Sequence, residues 1–295
     1  MGPRKLLFPR AVDQHKPDKP LIPNGLGVIY VIASAVYLFL LYAYYYVHGS
    51  SSKTVDAAPL VLAVCILFGG FLGLLDDWIS LRWRYKAFLP IFVALPLAVL
   101  VSLLPAHAHA TSLHTYIFGT VNFGPWFFII IIPLIVTATT NVINQLGGLN
   151  GLETIGPSII MIGLMVSSDQ AILLYAPLAV YLVLAFFNFT GKIFVGNTGS
   201  FAIGITLASF ALISNSKETL LIAILPYVFN AALILLAFFF FKDRARLILE
   251  GNKLHSEHRR SLLTLIAYRR PLTERRLVEI VAVIIAVFTI IAVAV

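Results

Sequence analysis

The sequence predicts an all-α protein that crosses a membrane several times. Hydrophobic residues make up 60% of its 295 residues, only 12% are charged, and the mean hydropathy is +0.94. A hydrocarbon layer about 30 Å thick needs roughly 20 apolar residues in a helix, and long apolar runs recur along the chain. These runs are too uniformly apolar for the alternating strands of a membrane barrel. The fold class is therefore a polytopic helical bundle, expected as one domain over residues 1–295.

Nine apolar runs are predicted as spans. The polar N-terminal segment holds no apolar stretch long enough for a signal peptide, so the first span is expected to serve as the insertion signal. The fifth span is the weakest, because polar residues and glycines occupy its first turn; such backbone is tolerated at that depth where it lines a cavity. The predicted spans are residues 26–47, 57–75, 87–104, 126–143, 147–166, 171–190, 200–214, 219–241 and 277–295.

Positive charge is distributed unevenly between the two faces that alternating spans create. Of the 21 Lys and Arg residues, all but Lys53 and Lys217 fall on one face, which we call face A. Because Lys and Arg accumulate in cytoplasmic loops, face A is predicted to be cytoplasmic. The net charge of +8 then reflects topology and attraction to anionic headgroups and substrates, and it gives no indication of nucleic acid. The loops of face A that carry polar clusters are residues 76–86, 144–153, 189–199 and 242–276.

The first cluster is the adjacent pair Asp76 and Asp77, followed by the cation Lys86. Side chains at i and i+1 on a helix point about 100° apart, so the two carboxylates are expected to have different roles. Carboxylates at membrane depth are costly and tend to be functional, and a phosphate site needs both cations and carboxylates. The alternative is a helix end whose charges simply reach headgroup water.

The second cluster is "NVINQLGGLNGLE". Asn141 and Asn144 lie three residues apart and so share a helix face, before glycines that permit close approach of the backbone to a ligand. Glu153 stays near the interface. Asn side chains at the end of an apolar run also hold helices together, which is the competing interpretation.

Two further clusters lie on face A. The stretch "VGNTGS" is typical of a compact turn whose free N–H groups bind an anion, or of an ordinary loop. In "LHSEHRR", His255 and His258 lie three residues apart and precede Arg259 and Arg260, a pattern that favours phosphate binding over zinc. The single Cys65 excludes a disulfide framework and a cysteine metal site.

Taken together, the motifs resemble the polyprenyl-phosphate N-acetylhexosamine-1-phosphate transferases, closest to the eukaryotic and archaeal type that acts on UDP-N-acetylglucosamine and dolichyl phosphate. "DDWISLRWRYK" matches the family's Asp pair, Leu-Arg-Trp-Arg and Lys, and "NVINQLGGLNGLE" its Asn-Ala-Ile-Asn…Gly-Ile-Asn-Gly-Leu-Glu run. Asp13, Lys16, Ile22 and Pro23 match its Asp-x-x-Lys…Ile-Pro segment. The resemblance runs through nearly the whole chain.

The resemblance implies an Mg²⁺-dependent reaction, with Mn²⁺ as an alternative, in which a lipid phosphate attacks the β-phosphate of a UDP-sugar and UMP leaves. It implies that Asp76 orients or deprotonates the lipid phosphate with Asp77 as partner, and that Lys86 neutralises phosphate charge. His258 would be a further catalytic residue, and Asn144 and Asn197 would bind the metal. The implied substrate-binding residues are Asn141, Asn150, Gly151, Leu152, Glu153, Asn188, Arg259 and Arg260.

The chain also departs from the family pattern. Where the family has Gly-Asp-Thr, this sequence has Asn197, which loses a full negative charge and is predicted to lower metal affinity and impair catalysis. Glu257 replaces an Arg that precedes the last-loop His, with Arg260 a substitute nearby. The family has ten spans, and the first is expected to have no counterpart here, because only twelve residues precede Asp13. Either the chain is shortened or that helix is dispensable.

Two other function classes stay open. A transporter or lipid flippase would place polar residues along several span centres and on both faces, whereas here they cluster on one face. A catalytically impaired relative or an engineered variant would bind UDP-sugar or lipid phosphate without turnover. The expected location is a membrane with the site facing the cytoplasm, a prokaryotic plasma membrane rather than endoplasmic reticulum. A homodimer is a further alternative.

Overall fold

The structure is a computed structural model that describes residues 8–48, 57–103, 111–115, 119–242 and 245–295. Its long apolar helices confirm the predicted all-α class and make the chain an integral membrane protein. The helices are α1 (Gly27–His48), α2 (Ala58–Ile79), α3 (Trp83–Phe88), α4 (Pro90–Leu103), α5 (Ile132–Gln145), α6 (Leu152–Val166), α7 (Tyr175–Phe189), α8 (Gly196–Ile213), α9 (Lys217–Ala223), α10 (Leu225–Leu236), α11 (Leu262–Ile266) and α12 (Glu274–Ala294).

By length and composition, seven helical segments of the described residues can cross a membrane, and α9 with α10 gives an eighth that bends by 52°. The remaining predicted span, α6, is an apolar helix of 15 residues. Two boundaries differ from the sequence prediction. α2 continues to Ile79, so Asp76 and Asp77 lie inside a helix, and α8 begins at Gly196, so "GNTGS" forms its first turn rather than a preceding loop.

Three short antiparallel hairpins, which the sequence analysis did not predict, lie outside these helices. Each pairs only three or four residues, too few for the alternation of polar and apolar residues that reveals a strand. They are β1 (Arg10–Val12) with β2 (Leu21–Pro23), β3 (Ser112–Thr115) with β4 (Gly119–Asn122), and β5 (Ile248–Glu250) with β6 (Lys253–His255).

The centre of the bundle is α8. Every residue of this helix from Thr198 to Ile213 is buried. Close approach to α2 depends on Gly73, where an added Cβ would lie 2.2 Å from the carbonyl oxygen of Asn197. At the same end of α8, a Cβ on Gly27 would lie 2.2 Å from the Gly199 backbone. The backbones of α1 and α2 therefore touch the start of α8 directly, which fixes that helix start within the bundle.

The ends of seven helices meet on one side of the molecule, which is the side predicted as face A. The N–H of Gly27 at the start of α1 donates to the carbonyl of Val195 at 2.9 Å. The hydroxyl of Ser200 in α8 donates to Oδ1 of Asn144 in α5 at 2.6 Å. Contacts described below add the ends of α2 and α7 and the starts of α6 and α12. The polar clusters that the sequence places on one face are thus neighbours in space.

Candidate active site

Asp77 lies in the last turn of α2 and holds the first turn of α8. Its Oδ1 accepts the N–H of Asn197 at 2.9 Å, and its Oδ2 accepts the N–H and the hydroxyl of Thr198 at 2.9 and 2.7 Å. The first N–H groups of a helix have no partner within it, and a negative charge is favoured there. The N–H groups that the sequence offered to a bound anion are therefore occupied by a carboxylate of the protein itself.

Asp76 has different partners from Asp77, as the i, i+1 spacing predicts. It is only 2% exposed, its Oδ2 pairs with Nζ of Lys86 at 2.7 Å, and its Oδ1 accepts the N–H of Leu81 at 2.9 Å. Ser80 ends α2 in a left-handed conformation with φ 48°, which turns the chain back toward Asp76. The loop after α2 is thus folded around one buried carboxylate, and it holds the partly exposed Lys86 ammonium against that group.

A cavity of about 310 Å³ opens beside Asp77, and we call it the carboxylate cavity. Asp77, Glu153 and Asn197 share its wall. Oε1 of Glu153 accepts the N–H of Gly148 at 3.0 Å, which holds the glycine-rich loop against the cavity. Phe194 also contributes to the wall. Sequence reasoning missed Phe194, although its position just before the "GNTGS" turn was a usable signal.

Asn150 belongs to a buried polar network rather than to the cavity wall. Its backbone N–H donates to Oε1 of Glu274 at 2.8 Å, and its Nδ2 donates to Oδ2 of Asp13 at 2.7 Å. Oε2 of Glu274 pairs with Nζ of Lys16 at 2.6 Å. This network joins the N-terminal segment, the start of α6 and the start of α12. Glu274 was not singled out in the sequence; an acidic residue at the start of the last span was the available signal.

Asn188 connects three segments at the end of α7. Its Oδ1 accepts the N–H of Gly151 at 2.8 Å and the hydroxyl of Thr154 at 3.2 Å, while its Nδ2 donates to the carbonyl of Ile193 at 2.8 Å. Leu152 is 1% exposed. The predicted binding residues Asn188, Gly151 and Leu152 therefore support the glycine-rich loop from behind and do not line the carboxylate cavity.

The two asparagines of "NVIN" have unlike surroundings. Nδ2 of Asn141 donates to the carbonyls of Ala87 and Thr137 at 3.2 and 2.8 Å, so it holds the end of α3 against α5. This is the contact between helices that the sequence analysis kept as its alternative. Oδ1 of Asn144 accepts the hydroxyl of Ser200, three residues after Asn197, and so lies close to the start of α8.

The predicted residues of the last loop do not line the carboxylate cavity. Nε2 of His258 accepts the backbone N–H of Arg246 at 3.2 Å. The guanidinium of Arg259 lies 4.2 Å from the ring centroid of Tyr268. The N–H of Arg260 donates to the hydroxyl of Thr264 at 2.9 Å. Arg260 thus immediately precedes Ser261, which lines a second cavity together with Thr264.

The second cavity has a volume of about 190 Å³ and adjoins the first, because His15 and Gly148 line both. Ser261, Thr264 and the buried Asn230 contribute its polar surface. Oδ1 of Asn230 accepts the N–H of Leu262 at 2.9 Å, while its Nδ2 has no hydrogen-bond partner. A buried amide donor without a partner costs free energy, so this N–H₂ group is suited to a ligand acceptor. Sequence reasoning missed Asn230, a single amide inside an apolar span.

Oxygen ligands dominate the carboxylate cavity, where Asp77, Glu153 and Asn197 meet. Carboxylate and amide oxygens are what a hard divalent cation prefers. Within the described part of the chain, the three side chains Asp13, His15 and Glu274 also place potential ligand atoms within 4.8 Å of one another. Asp13 and His15 also line the carboxylate cavity, while Lys16 and Asn150 already bind Glu274, so this group adjoins the same candidate cation site.

The sequence is similar to those of known proteins. The sequence pattern of glycosyl transferase family 4 matches residues 59–215, more than half of the chain. The chain is 34% identical over 228 residues to a Saccharolobus solfataricus protein provisionally named UDP-N-acetylglucosamine–dolichyl-phosphate N-acetylglucosaminephosphotransferase, covering 73% of this chain and 66% of that relative. It is 26% identical over 272 residues to the protein of that name in Saccharomyces cerevisiae, covering 74% of this chain and 58% of the relative.

A second group of relatives has a different name. The chain is 25% identical over 243 residues to the phospho-N-acetylmuramoyl-pentapeptide-transferase of Streptococcus uberis, covering 79% of this chain and 71% of that relative. The chain thus spans 66% and 58% of the lengths of the two dolichyl-phosphate relatives, which is less than two thirds of each. It spans 71% of the length of the bacterial relative.

Proposed function

This chain belongs to glycosyl transferase family 4, and on that premise we propose that it transfers a sugar-1-phosphate from a UDP-sugar to a polyprenyl or dolichyl phosphate. The names of its relatives favour UDP-N-acetylglucosamine and dolichyl phosphate. An oxygen of the lipid phosphate forms a bond to the β-phosphorus of the UDP-sugar. The bond from that phosphorus to the bridging oxygen breaks, and UMP leaves with the oxygen.

The observation that carries this proposal is the joint placement of Asp77, Glu153 and Asn197 around one cavity at the ends of membrane helices. A lipid phosphate and a water-soluble nucleotide can meet only at such a boundary. A transporter would need polar residues along a path across the bilayer, whereas these polar groups end at face A. We propose that face A is cytoplasmic, in agreement with its excess of Lys and Arg.

We place the metal and the diphosphate in the carboxylate cavity. Asp77 and Asn197 offer oxygen atoms suited to Mg²⁺, which typically binds one or two carboxylates together with substrate phosphates. Mg²⁺ bound there would neutralise charge on the diphosphate. Asp77 has a second role, because its bonds to the start of α8 fix the position of Asn197.

Lys86 and Asp76 form the part of the site that we assign to the lipid phosphate. The partly exposed Lys86 ammonium supplies positive charge for a phosphate, and the buried Asp76 carboxylate, 2.7 Å away, holds that ammonium in place. Asp76 therefore orients the lipid phosphate through Lys86. Phosphoryl transfer requires little covalent chemistry of the protein, so such positioning accounts for most of the catalysis expected here.

The nucleotide and the sugar occupy adjoining volumes in this proposal. Phe194 would offer its aromatic ring to uracil, and Glu153 and Gly148 line the same cavity. The sugar extends into the second cavity, where the free Nδ2 of Asn230 donates to a carbonyl or hydroxyl oxygen. His258 and Arg260, just before the wall residue Ser261, are assigned to the diphosphate end of the sugar.

The experiment that tests this function is UMP release from UDP-N-acetylglucosamine by the purified protein with a polyprenyl phosphate and Mg²⁺. We expect release to depend on lipid and metal and to fall at least about a hundredfold in Asp77→Asn, the size typical for loss of a group that stabilises developing charge. Asp18→Asn removes an exposed carboxylate from the same face and should leave release unchanged.

Two outcomes would contradict the proposal in different ways. Binding of UDP-N-acetylglucosamine without UMP release, with lipid and metal varied, would identify the binding-only relative that Asn197 suggests. If the protein neither binds UDP-N-acetylglucosamine nor releases UMP, the transport alternative would be favoured.

A further inference from the structure

A third cavity lies at the membrane edge of face A, and we call it the arginine cavity. Its volume is about 610 Å³, and it shares no lining residue with the carboxylate cavity or with the second cavity. Arg259, Tyr268 and Arg270 form its polar side. Leu265, Leu272 and Ile280 form its apolar side.

The polar side concentrates unneutralised positive charge around one aromatic ring. The guanidinium groups of Arg259 and Arg269 lie 4.2 and 5.3 Å from the ring centroid of Tyr268. Both arginines and Arg270 are exposed, and within the described residues none of the three forms an ion pair. Like charges gathered this closely repel each other, so an anion bound between them would be stabilised strongly.

Two nearby arginines, by contrast, have a carboxylate partner. Arg275 and Arg276, in the first turn of α12, each approach a carboxylate oxygen of Glu279, at 3.4 and 3.3 Å. The cluster at Tyr268 therefore differs in chemistry, not merely in position, from these two arginines of the same surface.

The backbone holds these arginines in a defined arrangement. Arg269 adopts a left-handed conformation with φ 53°, and its N–H donates to the carbonyl of Ser256 at 3.0 Å. Leu272 exchanges two backbone hydrogen bonds with Leu254, at 2.7 and 2.9 Å. A non-glycine residue in this region of φ is strained and is often found at functional sites. The strained turn directs Arg269 back over Tyr268.

The apolar side continues into the membrane. Ile280 belongs to α12, six residues after the helix begins at Glu274, and therefore lies roughly 9 Å along its axis at 1.5 Å per residue. The cavity thus extends from the polar loop to the first turns of a spanning helix. A ligand that fits has a phosphate at one end and a hydrocarbon chain at the other, and Arg is the side chain best suited to bind that phosphate.

We propose that the arginine cavity binds the headgroup phosphate of an anionic phospholipid from the leaflet at face A. Its phosphate contacts Arg259 and Arg270, which line the cavity, and Arg269, which shares the Tyr268 ring with Arg259. The start of an acyl chain lies along Leu265 and Ile280. This site is separate from the one assigned to the lipid substrate, because the two share no residues. It anchors the last loop, whose residues Ser261 and Thr264 form the wall of the second cavity, to the membrane surface.

The test measures lipid retention by the full chain in nanodiscs. The protein is transferred from pure phosphatidylcholine to phosphatidylcholine–phosphatidylglycerol mixtures, and the lipid bound after gentle extraction is counted by native mass spectrometry. Wild-type protein should retain phosphatidylglycerol selectively. In the double variant Arg269→Gln/Arg270→Gln, this selectivity should fall about fivefold for each arginine removed, which is the usual contribution of a basic residue at an anionic surface. Inorganic phosphate should not displace the lipid, since it lacks the chain that fills the apolar side.

The matched control is Arg275→Gln/Arg276→Gln, which removes the same charge from the same surface but from arginines paired with Glu279. It should keep nearly the full selectivity. An equal loss in both double variants would overturn the proposal in favour of general surface attraction. Displacement by inorganic phosphate would overturn it in favour of a soluble anion. Thermal unfolding in pure phosphatidylcholine, expected to be the same for all three proteins, shows that each variant is folded.

This proposal can fail independently of the proposed reaction. UMP release assayed in phosphatidylcholine alone, with saturating polyprenyl phosphate, should be retained by Arg269→Gln/Arg270→Gln, because neither residue lines the carboxylate cavity. Loss of UMP release under those conditions would place the two arginines in the reaction instead and would contradict a separate lipid site.

Discussion

The two walls of the catalytic region are built in different ways. The inner wall, at the junction of α2 and α8, consists of backbone in direct contact, and Gly73 leaves no room for a Cβ beside Asn197. The outer wall, residues 245–273, consists of a hairpin, the five-residue helix α11 and an arginine-rich turn. The inner wall therefore fixes the groups that we propose act on phosphate. The outer wall is held by short backbone pairings and side-chain contacts, and in our proposal it encloses the sugar.

The largest expected effect is on the inner wall, from Gly73→Ala. The new Cβ would lie 2.2 Å from the Asn197 carbonyl, and backbone on both sides cannot yield as a flexible side chain would. We expect a loss of about 3 kcal/mol or more in stability, the upper range for overpacking, together with loss of UMP release. Thermal unfolding in detergent or nanodiscs checks it.

The control for that comparison is Gly251→Ala on the outer wall. Gly251 has φ +59°, but no atom lies within 4 Å of an added Cβ, so only a backbone cost of about 1 kcal/mol is expected. Equal destabilisation by the two substitutions would remove the distinction between the walls.

Asn197→Asp tests whether the inner wall binds the metal. The substitution restores a carboxylate beside Asp77 in a cavity rich in oxygen ligands, and a second charge strengthens binding of a hard cation. We expect the Mg²⁺ concentration for half-maximal UMP release to fall about tenfold, with a higher maximal rate. A titration with Mg²⁺ measures both. An unchanged Mg²⁺ requirement would mean that residue 197 does not bind the metal.

Asn230→Asp gives the smallest expected effect and tests the outer wall. Aspartate keeps the acceptor for the Leu262 N–H, and its ionised form removes the free donor. Thermal unfolding checks that the variant tolerates the buried charge. We expect KM for UDP-N-acetylglucosamine to rise about fivefold, which corresponds to the free energy of roughly one hydrogen bond. Inhibition by UDP alone should be unchanged. Equal weakening of UDP and UDP-N-acetylglucosamine would show that the sugar does not reach Asn230.

Much of the fold was predictable because the bilayer imposes a simple rule on length and hydropathy. The rule locates the apolar runs, but it does not predict that a helix continues through polar residues, as α2 continues through Asp76 and Asp77. The short hairpins were missed because strands of three or four residues carry almost no pattern.

The candidate site was predictable where chemistry forms short motifs, as in "DDWISLRWRYK". It was not predictable where single residues meet across the chain. Glu274 binds Asn150 and Lys16 from more than a hundred residues away, and Asn230 faces a cavity formed mainly by other segments. Nor could the sequence reveal that Asn188 supports a loop from behind, because both halves of its amide are paired only in the folded chain.

The complete burial of α8 has a consequence for biogenesis. A helix with Thr198, Ser200, Thr206 and Ser209 and no surface for lipid gains little from entering a bilayer alone. Its principal partners α1, α2, α5 and α6 all precede it in the chain, so they are already made when α8 leaves the ribosome. Translation order thus supplies the surroundings that make insertion of α8 favourable. Moving this segment to the front of the chain should trap it outside the membrane.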